Sequence, residues 1–380
     1  THRDVSVPGQ RMRPHDIYYQ SRRLAQSQHQ LSSAKPLREY FPALQTWDNL
    51  LAYIEELFGL ECSELEPGSF PSYNEKLRAY EVLDSESGAL IGHLYWDPYW
   101  RTDKVKMNRT LQVRPRCDSK SMTTAVVIST LLCGSESPPL HWDELREMLW
   151  QMGEALEVLL TESPFPTLGP KMAVQMDTKE APPAFFAGLL HQPGSLQRLS
   201  QDGSLSLQDA ATASHCFMEV GLYGFMRTAF LADFDHRCWK DPRPFWKDIY
   251  SKLWEEHFPG MSIWQEDALP CTFTPIFIGH WRAMYYGKLW SQMLAQDMLR
   301  QLSQETERGT AQDFGRRLRE EVLCWGALKP FHVQFQALMG RQPSLTPLLD
   351  FYELPRPDAL APPNSQQANS ENAERRCISK

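Results

Sequence analysis

Acidic and polar side chains recur at helical spacing in the stretch Asp143–Leu160, which reads DELREMLWQMGEALEVLL. One face of this helix carries the groups that could do chemistry, namely Glu147, Trp150, Gln151, Glu154 and Glu157. The opposite face repeats apolar residues every three or four positions and predicts a core stripe of Trp142, Leu145, Leu149, Met152, Leu156 and Leu159. Side chains four residues apart on a helix project together and can grip one ion. A polar face that is simply solvated is the alternative.

Metal and acid–base chemistry need residue types that this face supplies only in part. Trp150 offers an indole N–H donor and no lone pair, and the amide of Gln151 does not titrate near neutral pH. Glu154 can bind a metal, but catalytic zinc on a helix uses two imidazoles and a Glu base. None of the eleven histidines has another within five residues, so no imidazole pair is visible elsewhere. We expect no metal chemistry here.

Bulk composition excludes several classes of protein. The chain of 380 residues is long enough for a large core, and its net charge of −8 argues against a general nucleic-acid binder. No apolar run approaches the roughly 18 residues that span a bilayer. The eight cysteines are dispersed without a C-x-x-C pair, which favours a reducing or neutral compartment over a disulfide framework. The first residues, THRDVSV, are compatible with a mature end after a removed transit peptide.

The elements that position the helix follow from periodicity. Residues 1–15 read as an extended arm and residues 16–59 as helical. A small β region is expected at about 78–132, with a hairpin turning at Asp84–Gly88 and further strands in NRTLQVRP and TTAVVISTLL. From Asp143 the pattern is helical, and residues 354–380 form a polar tail that cannot order itself. The expected fold class is mainly α, an α+β protein with a small sheet and one domain at 16–353.

Several stretches, in one order, resemble the catalytic region of the thimet oligopeptidase family, which includes neurolysin and the mitochondrial intermediate peptidases. They are LREYFP, ELFGLEC, SGALIGHLYWDPYWR, DELREMLWQMGEALEVLL, DTKEAP, MYYGKLWSQMLAQDM and FGRRLREEVLCWGALKPFHVQFQALMGRQPSLTPLL. The resemblance covers roughly residues 15–352 and implies the catalytic-lobe portion of that fold. The family carries a long helical region before this part, forming the opposite wall of a deep channel, and we expect that region to be missing here.

The resemblance also implies a zinc helix that reads His-Glu-Phe-Gly-His, whereas the matching residues here are Trp150-Gln151-Met152-Gly153-Glu154. The family's third ligand is the Glu of an Asp-x-x-Glu-x-Pro segment, which Asp177 and Glu180 match in DTKEAP. We therefore expect no catalytic residues and no zinc, with Glu180 a vestigial ligand opposite Glu154. If these two carboxylates lie side by side, their repulsion should raise the pKa of one of them or recruit a cation or a Lys or Arg neighbour, and Lys171 and Lys179 are nearby in sequence. A solvated pair pointing apart is the alternative.

Active relatives also use a Gly/Tyr-rich segment whose hydroxyls stabilise charge on the peptide carbonyl oxygen. FIGHWRAMYYGKLW occupies that place, and Tyr285 and Tyr286 match the paired tyrosines. The preceding Gly-Tyr element has become His280-Trp281, and two prolines stiffen the loop PTLGPKMA that should cover the substrate. Packing in the core is the more common role of such a tyrosine pair, and we interpret His280 as a structural or surface residue.

These departures predict a catalytically inactive metallopeptidase-like protein that acts as a structural or accessory subunit of a larger assembly. The expected location is mitochondrial, otherwise cytoplasmic. The expected partners are other protein chains, including one that supplies the missing wall. Aromatic residues favour interfaces, and the second half of the chain holds Trp246, Trp254, Trp264, Trp281, Trp290 and Trp325.

Two other functions remain open. The chain could be a peptide-binding module that keeps the cleft without cleavage. Its acidic cleft residues would then favour basic peptides, and they are Glu147, Glu154, Glu157 and Glu180. The last alternative is an active zinc oligopeptidase completed by another chain.

Overall fold

The computed structural model describes residues 13–28, 31–32, 35–104, 107–116, 123–132, 137–169, 173–240, 245–261 and 267–356. Its α-helices are α1 (Ile17–Gln28), α2 (Ala43–Phe58), α3 (Trp142–Leu160), α4 (Ala181–Gly188), α5 (Pro193–Leu199), α6 (Leu207–Lys240), α7 (Trp246–His257), α8 (Leu269–Thr272), α9 (Gly287–Arg308), α10 (Ala311–Leu318), α11 (Phe331–Met339) and α12 (Thr346–Phe351). The strands are β1 (Leu60–Glu64), β2 (Arg78–Asp84), β3 (Leu90–Tyr99), β4 (Arg109–Arg114) and β5 (Thr123–Leu132). The predicted mainly α fold with a small sheet is confirmed.

The sheet has the strand order β1-β2-β3-β5-β4. Its pairs are antiparallel except β3 and β5, which run parallel. The expected hairpin joins β2 to β3, where the amide of Asp84 donates to the carbonyl of Ala89 and Gly88 adopts a φ of 67°. Strands β2 to β5 lie within the β region expected from the sequence.

Strand β1 extends the sheet beyond its expected start. Helix α2 ends at Phe58, and Gly59 follows with a φ of 64°, so its amide donates to the carbonyl of Glu55. This left-handed conformation suits glycine because it has no Cβ to clash. The sequence placed the end of the helical stretch at residue 59, close to the observed end of α2, but it did not predict β1, which follows Gly59 and pairs with β2.

Helix α3 lies between the sheet and α4, and 13 of its 19 residues are buried. On the sheet side, the hydroxyl of Thr110 donates to the carbonyl of Gln151 at 3.0 Å. On the other side, a Cβ on Gly153 would meet the Cα of Pro183 and the ring of Phe186, both at 2.8 Å. The glycine therefore allows α4 to approach the backbone of α3 closely.

Apolar side chains form two clusters. The larger joins α2, the sheet, α3, α4, α5, α9, α10 and α11, and the smaller joins the second half of α6 to α7 and residues 276–285. Helix α6, with 34 residues, contributes to both. Among the described residues, no helix combines the length and the apolar character that crossing a bilayer requires. Most of the expected arm, most of the expected tail, Lys171 and Trp264 lie outside the described residues.

Candidate functional site

The residues expected on the polar face of α3 differ in how deeply they are buried. Gln151 is 1% exposed and Glu157 is 7% exposed, so the prediction that both look into a cleft was wrong. Because α3 is covered by the sheet and by α4, residues on several of its faces are buried. Glu157 lines a separate small cavity with Thr161 and Thr178. Glu147, Trp150 and Glu154 are half-buried and remain on the more open side.

Gln151 is held by its neighbours on α3. Its side-chain amide donates to Oε1 of Glu147 at 3.0 Å, one helical turn away. Its Oε1 is buried and accepts no hydrogen bond from the described residues. An amide in this position cannot take a proton from water at neutral pH, so it supplies no general base.

Glu180 forms an ion pair with Lys288, whose ammonium nitrogen lies 2.6 Å from Oε1 of the carboxylate. The same nitrogen lies 4.5 Å from the ring centre of Trp281 and 5.8 Å from that of Tyr285. Both charged side chains are only partly exposed, 30% for Lys288 and 19% for Glu180. Glu180 thus has a cation from its own chain, and among the described residues this cation is Lys288 and not Lys179.

The start of α9 packs directly against the Asp177–Glu180 segment. A Cβ on Gly287 would lie 2.8 Å from the Cα of Asp177, so only glycine allows this approach. The hydroxyl of Ser291 donates to the carbonyl of Asp177 at 2.8 Å. These two contacts place Lys288, which lies between them in sequence, beside Glu180. The two segments that the family resemblance singled out are therefore adjacent.

The paired tyrosines have different environments. Tyr285 is 7% exposed and packs edge-on against Phe273 and Trp281, and burial raises its pKa. Tyr286 is 43% exposed. The turn before them is tied to Asp235, whose carboxylate accepts from the amides of Ala283 at 3.0 Å and Tyr285 at 3.1 Å. Burial raises the pKa of Asp235.

His280, which follows the exposed Ile278 and precedes this turn, is also exposed. This placement agrees with the interpretation of His280 as a surface residue.

A groove of about 610 Å³ opens beside α3. Helix α3 forms one wall with Trp142, Arg146, Glu147 and Trp150. Residues of α1, α4, α6, α9 and α12 and of the segments next to them form the rest of the lining, which includes Glu180, Gly221, Gly224, Tyr285, Lys288 and Gln292. Both Glu180 and its partner Lys288 therefore lie in the groove, whereas Gln151 and Glu157 do not line it.

One end of the groove is rich in aromatic rings. Trp142 and Phe217 stack with ring centres 4.2 Å apart and planes 2° apart. His191 packs edge-on against Trp142 at 5.4 Å, and its Nδ1 lies 3.3 Å from the hydroxyl of Ser214. Burial lowers the pKa of His191 to about 4, so the ring is neutral at physiological pH.

Three groove residues were missed from the sequence: Arg146, His191 and Lys288. Arg146 had a usable signal, because it lies four residues after Trp142 and four before Trp150 on α3. Lys288 had none, since its partner Glu180 is 108 residues away in the chain. His191 is a single histidine with no local motif around it.

The donor set beside Glu180 does not fit a zinc ion. Trp150 has no lone pair, Gln151 is a buried amide bonded to Glu147, and Glu180 already pairs with an ammonium group. Two carboxylates without an imidazole are also a poor match for zinc. In the described part of the chain, no three or more His, Cys, Asp or Glu side chains group so that they could hold a metal.

Comparison with known proteins places this arrangement in a family. The chain is 23% identical over 360 residues to organellar oligopeptidase A, chloroplastic/mitochondrial, of Arabidopsis thaliana, covering 88% of this chain and 44% of that protein. It is 25% identical over 365 residues to oligopeptidase A of Escherichia coli (strain K12), covering 90% and 51%. It is 21% identical over 343 residues to a probable thimet oligopeptidase of Arabidopsis thaliana, covering 87% and 47%.

The chain therefore spans about half the length of the curated relatives it matches. Residues 3–354 match the sequence profile described as Peptidase family M3. These matches confirm the resemblance to the catalytic region of the thimet oligopeptidases. The chain belongs to peptidase family M3.

Proposed function

We propose that this chain is a member of its family that does not hydrolyse peptides and that acts as an accessory subunit, holding an extended segment of a partner protein in the groove. The observation that carries the proposal is the 2.6 Å ion pair between Lys288 and Glu180. A protonated amine has no lone pair for a metal, and its charge opposes the approach of a divalent ion. Trp150 and Gln151 add neither a ligand nor a base.

The groove supports a binding role because its walls are kept in place by specific contacts. Its volume of about 610 Å³ lies inside the range of about 300–1,000 Å³ typical of ligand sites. Gly153 and Gly287 allow the close approaches that align α3, α4 and α9 along it. Aromatic rings and a few polar groups line it, which is the usual composition of a site that binds a peptide.

The surface and the relatives support a role within an assembly. Trp239 is 46% exposed and Trp290 is 45% exposed, and aromatic side chains of this kind favour protein interfaces. Trp254, in contrast, is a core residue at 3% exposure. One relative is named as organellar, chloroplastic or mitochondrial, which supports a mitochondrial location in this proposal.

Hydrolysis is tested with the purified chain and a mixture of internally quenched peptides, first with zinc added and then with a chelator. We expect the native chain to cleave the peptides no faster than the Glu180→Gln variant, which serves as the matched control. Cleavage that needs zinc and is lost in Glu180→Gln would contradict the proposal and favour an active oligopeptidase.

The accessory role is tested on the protein from its natural source. Native mass measurement should give a complex larger than the chain alone, and crosslinks from groove residues should reach a second polypeptide. A native mass equal to that of the free chain, with no crosslinked partner, would argue against a subunit role.

A further inference from the structure

Arg146 lies in the middle of the groove wall that α3 provides. Trp142, Arg146 and Trp150 are each four residues apart, so their side chains lie along one line of the helix and all three line the groove. A rise of 1.5 Å per residue separates neighbours in this line by about 6 Å. The groove therefore presents three groups at regular intervals, namely the accessible part of the largely buried Trp142 ring, which is 8% exposed, the guanidinium group of Arg146 and the half-buried ring of Trp150.

The charged side chains that line the groove differ in whether they have a partner within the chain. Glu180 is paired with Lys288, and Glu147 accepts a hydrogen bond from Gln151. Arg146 is exposed and forms no ion pair or hydrogen bond with the described residues. Asp143 also lines the groove, but it lies in the first turn of α3, where the helix dipole stabilises a carboxylate. The cation that remains available to a ligand is Arg146.

A second donor faces the same space. The side-chain amide of Gln292 donates to the hydroxyl oxygen of Tyr352 at 2.7 Å. The hydroxyl hydrogen of Tyr352 finds no acceptor among the described residues, and both Tyr352 and Arg146 line the groove. The charge of Arg146 opposes the rise in the pKa of Tyr352 that burial causes, which agrees with their proximity. A carboxylate can accept from both donors, and it is the oxyanion that an unmodified peptide side chain supplies.

We infer that the groove binds an extended segment with the pattern apolar–x–acidic–x–apolar, whose acidic side chain pairs with Arg146. Alternate side chains of an extended chain share one face at intervals of about 6.6 Å, close to the spacing of the three α3 residues. The two apolar side chains then contact Trp142 and Trp150. The inference rests on the proposed function only in that the groove receives a peptide.

A carboxylate from a side chain fits better than one from a chain end. Arg146 is midway along the wall, so a passing segment can contact the aromatic rings on both sides of it. The expected preference for basic peptides rested on four carboxylates. Glu154 and Glu157 do not line the groove and Glu180 is paired with Lys288, so Glu147 is the one that still lines it without an ammonium partner among the described residues.

Fluorescence anisotropy of the full chain with end-blocked peptides tests the inference. The probe is a labelled nonapeptide with the core Leu-Ser-Glu-Ser-Leu, compared with the same peptide carrying Gln or Lys in place of Glu. The Glu peptide should bind about tenfold more tightly than the Gln peptide, because a charge-assisted bidentate contact is lost in the latter. The Lys peptide should bind most weakly.

Variants assign the preference to its residue. Arg146→Gln should bind the Glu and Gln peptides equally, whereas Arg308→Gln, with the same charge change at the exposed end of α9, should keep the native preference. Tyr352→Phe should reduce the preference in part. The inference would be overturned if the native chain bound both peptides equally or bound neither. It would also be overturned if the preference for the Glu peptide survived Arg146→Gln, or if the only peptide to bind were a Gln peptide with a free terminal carboxylate.

Mass spectra of the peptides after incubation with zinc separate the two proposals. Cleaved peptides together with an Arg146-dependent preference would refute the non-hydrolysing function and leave the acidic specificity standing. Intact peptides that do not bind would refute the specificity while leaving the absence of hydrolysis untouched.

Discussion

The ammonium group of Lys288 lies 2.6 Å from the carboxylate of Glu180, at the point where the family resemblance places a metal ligand. The residues on either side of Lys288 in sequence hold it in place, because Gly287 packs on Asp177 and the hydroxyl of Ser291 donates to the carbonyl of Asp177. The chain thus supplies its own counter-ion for Glu180.

Removing that counter-ion should destabilise the fold. Lys288→Met leaves a carboxylate that is 19% exposed without its partner, and we expect the free energy of unfolding to fall by about 1–2 kcal/mol. Urea denaturation of the native chain, Lys288→Met, Glu180→Gln and the double variant gives the coupling between the two groups. The double variant should recover part of the loss. Additive effects of the two single changes would show that the pair contributes nothing.

Imidazoles placed on α3 should create a metal site. Trp150→His with Glu154→His puts two imidazoles one helical turn apart, at the two positions that the resemblance assigns to zinc-binding histidines. We expect this variant to bind zinc, and we expect tighter binding when Lys288→Met is added, because the competing ammonium group is gone. Competition with a chromogenic zinc chelator measures both affinities. If Lys288→Met leaves the affinity unchanged, Lys288 does not occupy the position of a metal.

Acid should destabilise the protein through His191. Its pKa in the fold is about 4, below its ordinary value of 6.5, because the ring is buried. As the pH falls from 6.5, the unfolded chain therefore takes up the proton before the folded chain does. The contribution of His191 to the free energy of unfolding is fully present above pH 6.5. It is lost progressively as the pH falls to about 4, and the total loss is about 3 kcal/mol.

Urea midpoints at pH 7 and pH 4.5 check this expectation. His191→Phe keeps an aromatic ring beside Trp142 and should remove most of the pH dependence in this window. His280→Gln, at an exposed position, is the matched control and should behave as the native chain does. If the urea midpoint changed by the same amount between the two pH values in all three proteins, His191 would be ruled out as the source of the pH dependence.

Two glycines should respond in opposite ways to alanine. Gly153→Ala places a Cβ 2.8 Å from Pro183 and Phe186, and we expect a loss of about 2 kcal/mol in unfolding free energy. Gly224→Ala lies in α6 with no heavy atom within 4 Å of the new Cβ, and we expect a gain of about 0.5–1 kcal/mol. Thermal denaturation measures both. Equal effects would mean that α3 and α4 are not packed as closely as described.

Local patterns predicted the elements better than the site. The apolar stripe of α3 and strands β2 to β5 follow from period and turn residues, whereas β1 was missed because LECSE has no run of β-branched or alternating apolar residues that would predict a strand. Gln151 and Glu157 were misplaced because polarity alone indicates exposure, and only the sheet and α4 reveal their burial.

The ion pair of Glu180 with Lys288 and the stacking of Trp142 on Phe217 join distant parts of the chain. No periodicity in the sequence reports such contacts. Arg146 is different, since its spacing from two tryptophans is visible in the sequence once the groove is known.

Zinc content after equilibrium dialysis tests the central claim most directly. The native chain and the Glu180→Gln variant are dialysed in parallel against micromolar zinc, and the bound zinc is measured by elemental (inductively coupled plasma) mass spectrometry. If Lys288 neutralises Glu180 in place of a metal, both proteins should hold only trace zinc, far below one ion per chain. One tightly bound zinc ion per native chain, absent from Glu180→Gln, would contradict the account.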